Sequence, residues 1–531
     1  MHRPVLDSRP CHVRTRNPNH LSALSLLCLA SLAFAAGGTA TGTATAAPEG
    51  ADLLVEKARE AAHTDRNAES ARFFREAIDV DPSRRQALLL EYADQVTYSG
   101  QPKAAIPLYR EVLSRKDLSR DEKVHALSGL ALALSWSDRL GEALKVYDQL
   151  ALESPGDLGV KRDAARALAW RGLHREARAR LAALLAERPD DPGASFLLAQ
   201  AERWSGRPDL AVATLHGLLE KRPGHREARA LLDEIEREAR PKAALSENLS
   251  NQSDGLRIIT SHLEGVFFSG AGIGELGASV DNVQYSPDTG QGGDVLVWRP
   301  GLQGRRRLGD AWEVNARASV DLVRPREDAV ARDVFTFDTW VTFWPRDAFR
   351  IDAGLSRQMF DNVRSLKLGL ATLDGSLSVE VNPTERLRLK ARGDLGEVTD
   401  GNRRVGWLAE GEFRLLDHPR ILLGVRYSGF TFSELLDNGY FNPERYQAVV
   451  ATLHAWGPIG SRVYWDVDGN WGREFADPGG EKPTWGLGGK LSWQVSDTFK
   501  LAAWGGHFDS RQASSGGFGR SWVGISLGVR L

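Results

Sequence analysis

The stretch Arg462-Val463-Tyr464-Trp465-Asp466-Val467-Asp468-Gly469-Asn470-Trp471 alternates residue by residue. In an extended chain, successive side chains point to opposite faces. Val463, Trp465, Val467 and Trp471 therefore share one face, and Arg462, Tyr464, Asp466, Asp468 and Asn470 the other. The same split recurs in Arg386-Leu387-Arg388-Leu389-Lys390-Ala391-Arg392. From Trp312 to Leu322, Trp312, Val314, Ala316, Ala318, Val320 and Leu322 alternate with Glu313, Asn315, Arg317, Ser319 and Asp321. The last segment alternates Val523, Ile525, Leu527, Val529 and Leu531. A row such as Arg386, Arg388, Lys390 and Arg392 must face water, while the opposite face is uniformly apolar. These segments run about 10 to 14 residues, where soluble strands usually run about 5 or 6. Long strands with one charged and one apolar face predict a membrane barrel, lipid outside and a wet lumen inside.

About 16 such segments follow one another from residue 241 to 531, an even number, as bacterial barrels require. They begin near residues 243, 256, 272, 292, 310, 334, 348, 365, 386, 403, 420, 443, 461, 482, 498 and 517. Short turns such as Pro345-Arg346-Asp347 and Asp417-His418-Pro419 join some of them. Longer polar connections, Ser286 to Gly293 and Ala476 to Lys482, join others. Trp344, Trp456, Trp471, Trp485, Trp493 and Trp522 near segment ends suit interfacial girdles. A barrel of about 16 strands leaves an aqueous interior. Its expected lining includes Glu313, Arg317, Asp321, Arg386, Arg388, Lys390, Arg392, Glu410, Glu412, Asp466 and Asp468. Glu410 and Glu412 lie one segment from the basic row, so cross-strand neutralisation is one reading of these charges and cargo contact the other. A lumen of both signs suits a hydrated neutral or weakly charged polymer better than a strongly charged one.

Ahead of this region the pattern is helical. Residues 48–240 are rich in Ala, Leu, Arg and Glu, strong helix formers. Ala143, Ala177 and Ala211 recur every 34 residues, and so do Pro155, Pro189 and Pro223, and Trp136, Trp170 and Trp204. Tyr147, Leu181 and Leu215 keep the same register. Ala58, Ser70, Phe74, Ala77 and Pro82, then Ala105, Tyr109 and Val112, give two looser copies. This resembles the tetratricopeptide repeat. About five repeats and a capping helix from Gly224 to Arg240 result, stacked as an α-solenoid whose concave surface binds partners. By resemblance, Tyr98, Trp136, Trp170 and Trp204 sit at the end of the first helix of successive repeats, near that groove. They either pack between repeats or offer a ladder of ring faces to sugars.

Residues 1–47 read as a secretory leader. Arg3, Arg9, Arg14 and Arg16 precede the apolar run Leu21 to Ala35, and cleavage fits after Ala35 or after Ala46. Leu27 ahead of Cys28 argues against a lipoprotein. Cys11 and Cys28, the two cysteines of the 531-residue chain, both lie in this leader, which leaves the mature protein without disulfide or thiolate chemistry. With 68 Lys+Arg against 70 Asp+Glu, no basic excess points to nucleic acid. No phosphate loop, zinc ligand pair or calcium loop appears, and His418, His454 and His507 are isolated, so no cofactor and no enzymatic activity is expected.

Tetratricopeptide repeats joined to such a barrel resemble the exopolysaccharide export outer-membrane proteins: the cellulose-export subunit, the poly-N-acetylglucosamine export porin and the YaiO-type barrels. Locally, Gly439-Tyr440-Phe441-Asn442-Pro443-Glu444-Arg445-Tyr446 looks like a segment of the cellulose-export barrel, with Tyr440, Phe441, Pro443 and Tyr446 as its marks. Ala167-Leu168-Ala169-Trp170-Arg171-Gly172 and Trp204-Ser205-Gly206-Arg207 look like the repeats of these families. The resemblance implies a Gram-negative cell outer-membrane, porin-like conduit for a secreted, biofilm or capsular polysaccharide, with the repeats in the periplasm. Its partners would be outer-membrane lipid, the polysaccharide chain, the barrel-assembly machinery, and periplasmic or inner-membrane export proteins docked on the repeats. A translocon for surface proteins, of the surface-lipoprotein assembly modifier type, is the alternative.

Overall fold

A computed structural model describes residues 48–288, 293–326, 330–511 and 519–531. The expected leader, with Cys11, Cys28 and both cleavage points, lies outside the described residues.

Five helix pairs and one further helix come first. The pairs are α1 (Pro48–His63) with α2 (Asn67–Val80), α3 (Arg85–Tyr98) with α4 (Pro102–Leu113), α5 (Arg120–Trp136) with α6 (Leu140–Glu153), α7 (Leu158–Arg171) with α8 (His174–Glu187), and α9 (Pro192–Trp204) with α10 (Pro208–Lys221); α11 (Arg226–Glu238) closes the series. The 34-residue register has a steric cause. Ala143, Ala177 and Ala211 are fully buried near the starts of α6, α8 and α10, where a larger side chain would push the paired helices apart. One turn on, Tyr147, Leu181 and Leu215 fill the space beside them. The phrases Trp170-Arg171-Gly172 and Trp204-Ser205-Gly206 also gain a reason. Gly172 (φ 90°) and Gly206 (φ 78°) take the left-handed conformation that ends a helix, which glycine adopts without strain.

The strands are β1 (Lys242–Gln252), β2 (Arg257–Ser269), β3 (Gly274–Ser286), β4 (Val295–Leu308), β5 (Trp312–Pro325), β6 (Arg332–Arg346), β7 (Phe349–Met359), β8 (Ala371–Val381), β9 (Leu387–Val398), β10 (Arg403–Asp417), β11 (Arg420–Phe432), β12 (Arg445–Ile459), β13 (Val463–Asp477), β14 (Gly480–Gln494), β15 (Phe499–Asp509) and β16 (Gly519–Arg530). Each pairs antiparallel with its neighbours, and β1 pairs with β16 to close the barrel. The seam runs from Lys242 opposite Arg530 to Gln252 opposite Arg520 without a break. Closure leaves no edge strand, so the backbone polar groups are satisfied inside the sheet, as lipid demands. A 13-residue strand such as β2 is about 43 Å long and, tilted by about 40°, spans about 33 Å, close to the hydrocarbon thickness of about 30 Å. Leu245, Leu527, Leu501 and Trp493 face outward side by side on four adjacent strands, and Ile525 is 63% exposed. Apolar surface of this extent on the barrel's exterior is covered by acyl chains.

Three expectations are corrected. The segment expected to begin near 365 begins at Ala371. In its place Asn362 caps a short helix, α12 (Val363–Leu368), by accepting the Ser365 N–H at 2.8 Å, and Gly369 (φ 71°) ends it. Val363 and Leu366, three residues apart, share a helical face, a spacing that alternation cannot use. The connection read as long from Ala476 to Lys482 is a tight turn, because β13 extends to Asp477 and β14 starts at Gly480. Of the six tryptophans assigned to girdles, Trp471, Trp485 and Trp493 do face outward, but Trp344, Trp456 and Trp522 share the inward register.

The chain divides into two compact units, with the boundary between Ala167 and Leu168, inside α7. The fold changes later, at Pro241. Within the second unit, the helices from α8 onward meet the barrel at the mouth where β1 begins, the near mouth, through polar contacts and through Ala271 of the β2–β3 turn, which packs on the core of α10 and α11. Asp347, in the β6–β7 turn, accepts the N–H of Arg175 at 2.9 Å and so caps α8, whose own N-cap residue Leu173 offers no side-chain acceptor. Asp310, in the β4–β5 turn, accepts from Arg178 at 2.9 Å and Arg207 at 3.0 Å. Arg307 donates to the Ser205 carbonyl at 3.1 Å, and its guanidinium lies over the Trp344 ring at 4.1 Å. Burial opposes the charge on Asp310, but bonds and attraction from Arg178 and Arg207 outweigh it and hold the carboxyl below its usual range. A depressed folded pKa stabilises above the unfolded value and loses its effect as pH falls through the folded one. Asp310→Ala is expected to cost about 1 kcal/mol, since the group is partly exposed, and to quicken proteolysis of the α8–α10 region at neutral pH. The difference from wild type should vanish only below the ordinary carboxylate range.

Candidate functional site: the lumen and its far mouth

Register fixes which side chains enter the lumen. Glu313, Arg317 and Asp321 on β5, Arg388, Lys390 and Arg392 on β9, Glu410 and Glu412 on β10, and Asp466 and Asp468 on β13 share the inward face. Arg386 does not: it lies in the β8–β9 turn, one residue before the strand. Most of these charges are committed to partners. Arg388 pairs with Glu412 directly opposite. Glu410 stands opposite Lys390 but bonds to Arg426 on its other side, at 2.5 and 2.7 Å. Arg299 clamps Asp321, which is 1% exposed, with bonds of 2.5 and 2.9 Å, and Thr336 adds a third at 3.2 Å. Arg317 donates to Gln303 at 2.8 Å, and His454 bonds Asp466 at 2.9 Å. Such pairs keep charged groups tolerable within a low-dielectric wall.

At the far mouth, opposite the start of β1 and the end of β16, two connections turn inward. The first, residues 360–370, carries α12. Its buried Val363 and Leu366 pack on Val295, Val297 and Val323, which share the inward register of Arg299 and Asp321. The second, residues 433–444, carries Tyr440 and Phe441. These lie against Phe430, Phe432 and Tyr446 on the opposite part of the wall. Phe360 stacks on Tyr440 at 4.4 Å and 10°, joining the two connections. Ser365 donates to the Asn438 carbonyl at 2.8 Å, and Arg364 pairs with Asp437 at 2.8 Å. Asn402 pins the second connection: it donates to the Glu434 carbonyl at 2.8 Å and to Tyr440 at 3.0 Å, and accepts the Glu434 N–H at 3.0 Å. Tyr440 in turn donates to Asp400 at 2.9 Å. Asp361 reaches Arg520 on β16 at 3.1 Å. Anchored on β4, β5, β11 and β16, the pair bridges the far mouth.

The family-like segment gains its meaning here. Tyr440 and Phe441 belong to this plug, the Pro443 carbonyl accepts the Phe432 N–H at 3.2 Å, and Tyr446 donates to the buried Glu474 at 2.8 Å. The plug escaped the sequence reading, as did Arg299 and Arg426. The signal was present in Asn362 and Gly369, the caps of a short helix beyond which alternation resumes.

The repeat aromatics Tyr98, Trp136, Trp170 and Trp204 occupy the last turns of α3, α5, α7 and α9. In the first unit Tyr98 meets Trp136 edge-on at 6.1 Å, with Tyr98 52% exposed. In the second, Trp204 lies 5.9 Å from His174. Trp136, Trp170 and Trp204 are half-buried.

The family model of the tetratricopeptide repeat matches residues 137–192 and 171–235. Among solved structures, the chain is similar to one described as a bacterial polysaccharide outer membrane secretin, at 15% identity and a TM-score of 0.45, over 55% of this chain and 99% of that one. It is also similar to a thermophilic tetratricopeptide-repeat protein in Thermus thermophilus, at 19% identity and a TM-score of 0.29, over 35% of this chain and 97% of that one. A third likeness is to YrrB, described as a tetratricopeptide-repeat protein with an unusual peptide-binding site, at 16% identity and a TM-score of 0.28, over 34% and 92%. No curated protein matches the chain. The chain thus carries tetratricopeptide repeats ahead of a closed 16-strand antiparallel barrel.

Loosening the plug is expected to open the barrel. Single-channel recordings in planar bilayers should show a several-fold rise in conductance for Asp361→Asn combined with Asn402→Ala. Conductance equal to wild type would mean that these connections do not limit the path.

Proposed function

We propose that this protein is an outer-membrane conduit through which a secreted or capsular polysaccharide leaves a Gram-negative cell. The observation that carries the reading is a closed 16-strand barrel with a charged, polar interior, joined at its near mouth to helical repeats. A barrel of this size leaves room for a hydrated chain, and its paired lumen charges give a polar lining without a strong field. The near mouth, where both termini of the barrel lie, faces the periplasm in this reading, and the plugged far mouth faces the exterior. The repeats dock the export machinery or guide the emerging polymer, with Tyr98, Trp136, Trp170 and Trp204 as the candidate surface. The cargo crosses without chemistry, pushed by its own synthesis, and displaces the plug as it leaves. A translocon for surface lipoproteins would use the same two parts with a narrower barrel, so the strand count favours the polysaccharide reading.

Deleting the gene is expected to abolish a surface or secreted polysaccharide while leaving surface lipoproteins in place, measured by carbohydrate composition of washed cells and medium. Unchanged polysaccharide with depleted surface lipoproteins would transfer the assignment to the translocon.

A further inference from the structure

One part of the lumen wall departs from the balance of charge seen elsewhere. The inward positions of β14, β15, β16 and β1 carry Lys482, Lys490, Lys500, Arg520, Arg530 and Lys242, and no Asp or Glu. Towards the far mouth, Lys482 and Arg520 have partners, Asp509 at the rim and Asp361 of the plug. The other four lie nearer the entrance and form no ion pair among the described residues. Lys242 stands opposite Arg530 across the seam, and Lys500 lies within electrostatic reach of both and of Lys490. The Arg530 Nε is buried without a hydrogen-bond partner. Asp466 stands opposite Lys490 but bonds to His454 at 2.9 Å, Glu275 pairs with Arg305 at 3.2 Å, and Glu238 with Arg203 at 2.9 Å; Asp468 lies against Gly488 of β14 and pairs with none of the four.

The same wall holds flat aromatic surfaces. Trp504 lies over Gly524 of β16, Trp522 over Gly506 of β15, and Phe508 over Gly486 of β14; a Cβ on any of these glycines would strike the ring. The Trp504 N–H donates to Asn248 on β1 at 3.2 Å, which holds the ring against the wall. Phe508 and Trp522 stack at 5.0 Å, and the Lys490 ammonium lies 5.8 Å from the Trp504 ring. Rings laid flat on glycine present a face to the lumen, and the C–H face of a sugar ring fits such a surface.

We propose that this wall is the track for an acidic glycan, its sugar faces on Trp504, Trp522 and Phe508 and its carboxylates or other anionic groups on Lys242, Lys490, Lys500 and Arg530. Four cations gathered without an ion-paired partner in a channel wall attract and select anions. The wall already binds one anion in this structure, the plug's own Asp361 on Arg520. The proposal rests on the conduit reading and narrows it: the neutral or weakly charged polymer expected from a lumen of mixed sign gives way to a negatively charged one.

The test is titration calorimetry on the full chain in detergent, with oligogalacturonate and a cello-oligosaccharide of equal length as probes. Oligogalacturonate is expected to bind at least about tenfold more tightly than the neutral probe, a difference that shrinks with salt. The variant Lys242→Gln/Lys490→Gln/Lys500→Gln/Arg530→Gln, with heat-modifiable gel migration intact, should lose that advantage. Equal binding of the two probes by wild type would overturn the proposal whatever the variant does, as would undiminished oligogalacturonate binding by the folded variant. Either outcome leaves the conduit standing if gene deletion still removes surface polysaccharide; if deletion leaves the polysaccharide in place, it is the conduit that fails.

Discussion

The pairing of β1 with β16 governs the rest of this molecule. An open sheet of this size would present two rows of unsatisfied backbone groups to lipid, each costing several kcal/mol. The seam from Lys242–Arg530 to Gln252–Arg520 removes both rows at once. Closure also fixes which residues face inward, because a shift of one residue would exchange every lipid-facing and lumen-facing side chain. The ion pairs of the lumen, the aromatic platforms near the seam and the anchoring of the plug all inherit that register. The seam itself lies in a four-strand wall whose inward positions hold no carboxylate among the described residues.

The two regions are joined by chemistry different from either interior. The repeats are held by alanines small enough for helices to touch, and the barrel by its hydrogen-bond ladder. Between the helices and the near-mouth turns, Ala271 of the β2–β3 turn packs on the core of α10 and α11, and the polar contacts run from arginines and helix N–H groups to carboxylates and carbonyls. Asp347 serves as the missing cap of α8, and Asp310 gathers two guanidinium groups. The compact unit therefore begins at Leu168, well before the change from helix to strand. Composition registers the change of periodicity at about residue 240, because periodicity is local. It has no access to the boundary of packing, which depends on residues such as Asp310 and Arg178, 132 positions apart.

The same distinction explains what else was legible in the sequence. Strict alternation located most of the strands to within a few residues, and the 34-residue spacing located the helix pairs. It misplaced the start of β8, because a helix occupies the expected position, and it extended the lumen to Arg386, which keeps the parity of Arg388 but not its strand. Trp344, Trp456 and Trp522 were assigned to girdles by their position near segment ends; their parity places them inside, where Trp344 receives the Arg307 guanidinium and Trp522 stacks on Phe508. The pairing of Arg388 with Glu412 followed from neighbouring strands of opposite charge. That Arg426 takes Glu410 while Lys390 stays beside it, and that the acids nearest the cations of the seam bond to other partners, are facts of register summed over the whole circumference, and no single segment contains them.

A barrel of this kind acts as a conduit only if the cargo passes inside it, and the side of the wall that touches the cargo can be read directly. A photo-crosslinking amino acid placed at Ser246 or Ser492, which face the lumen, should capture polysaccharide in living cells during synthesis, while the same group at the neighbouring outward Leu245 or Leu491 should capture lipid. Polypeptide adducts at the inward positions, or equal polysaccharide capture on both faces, would contradict the account.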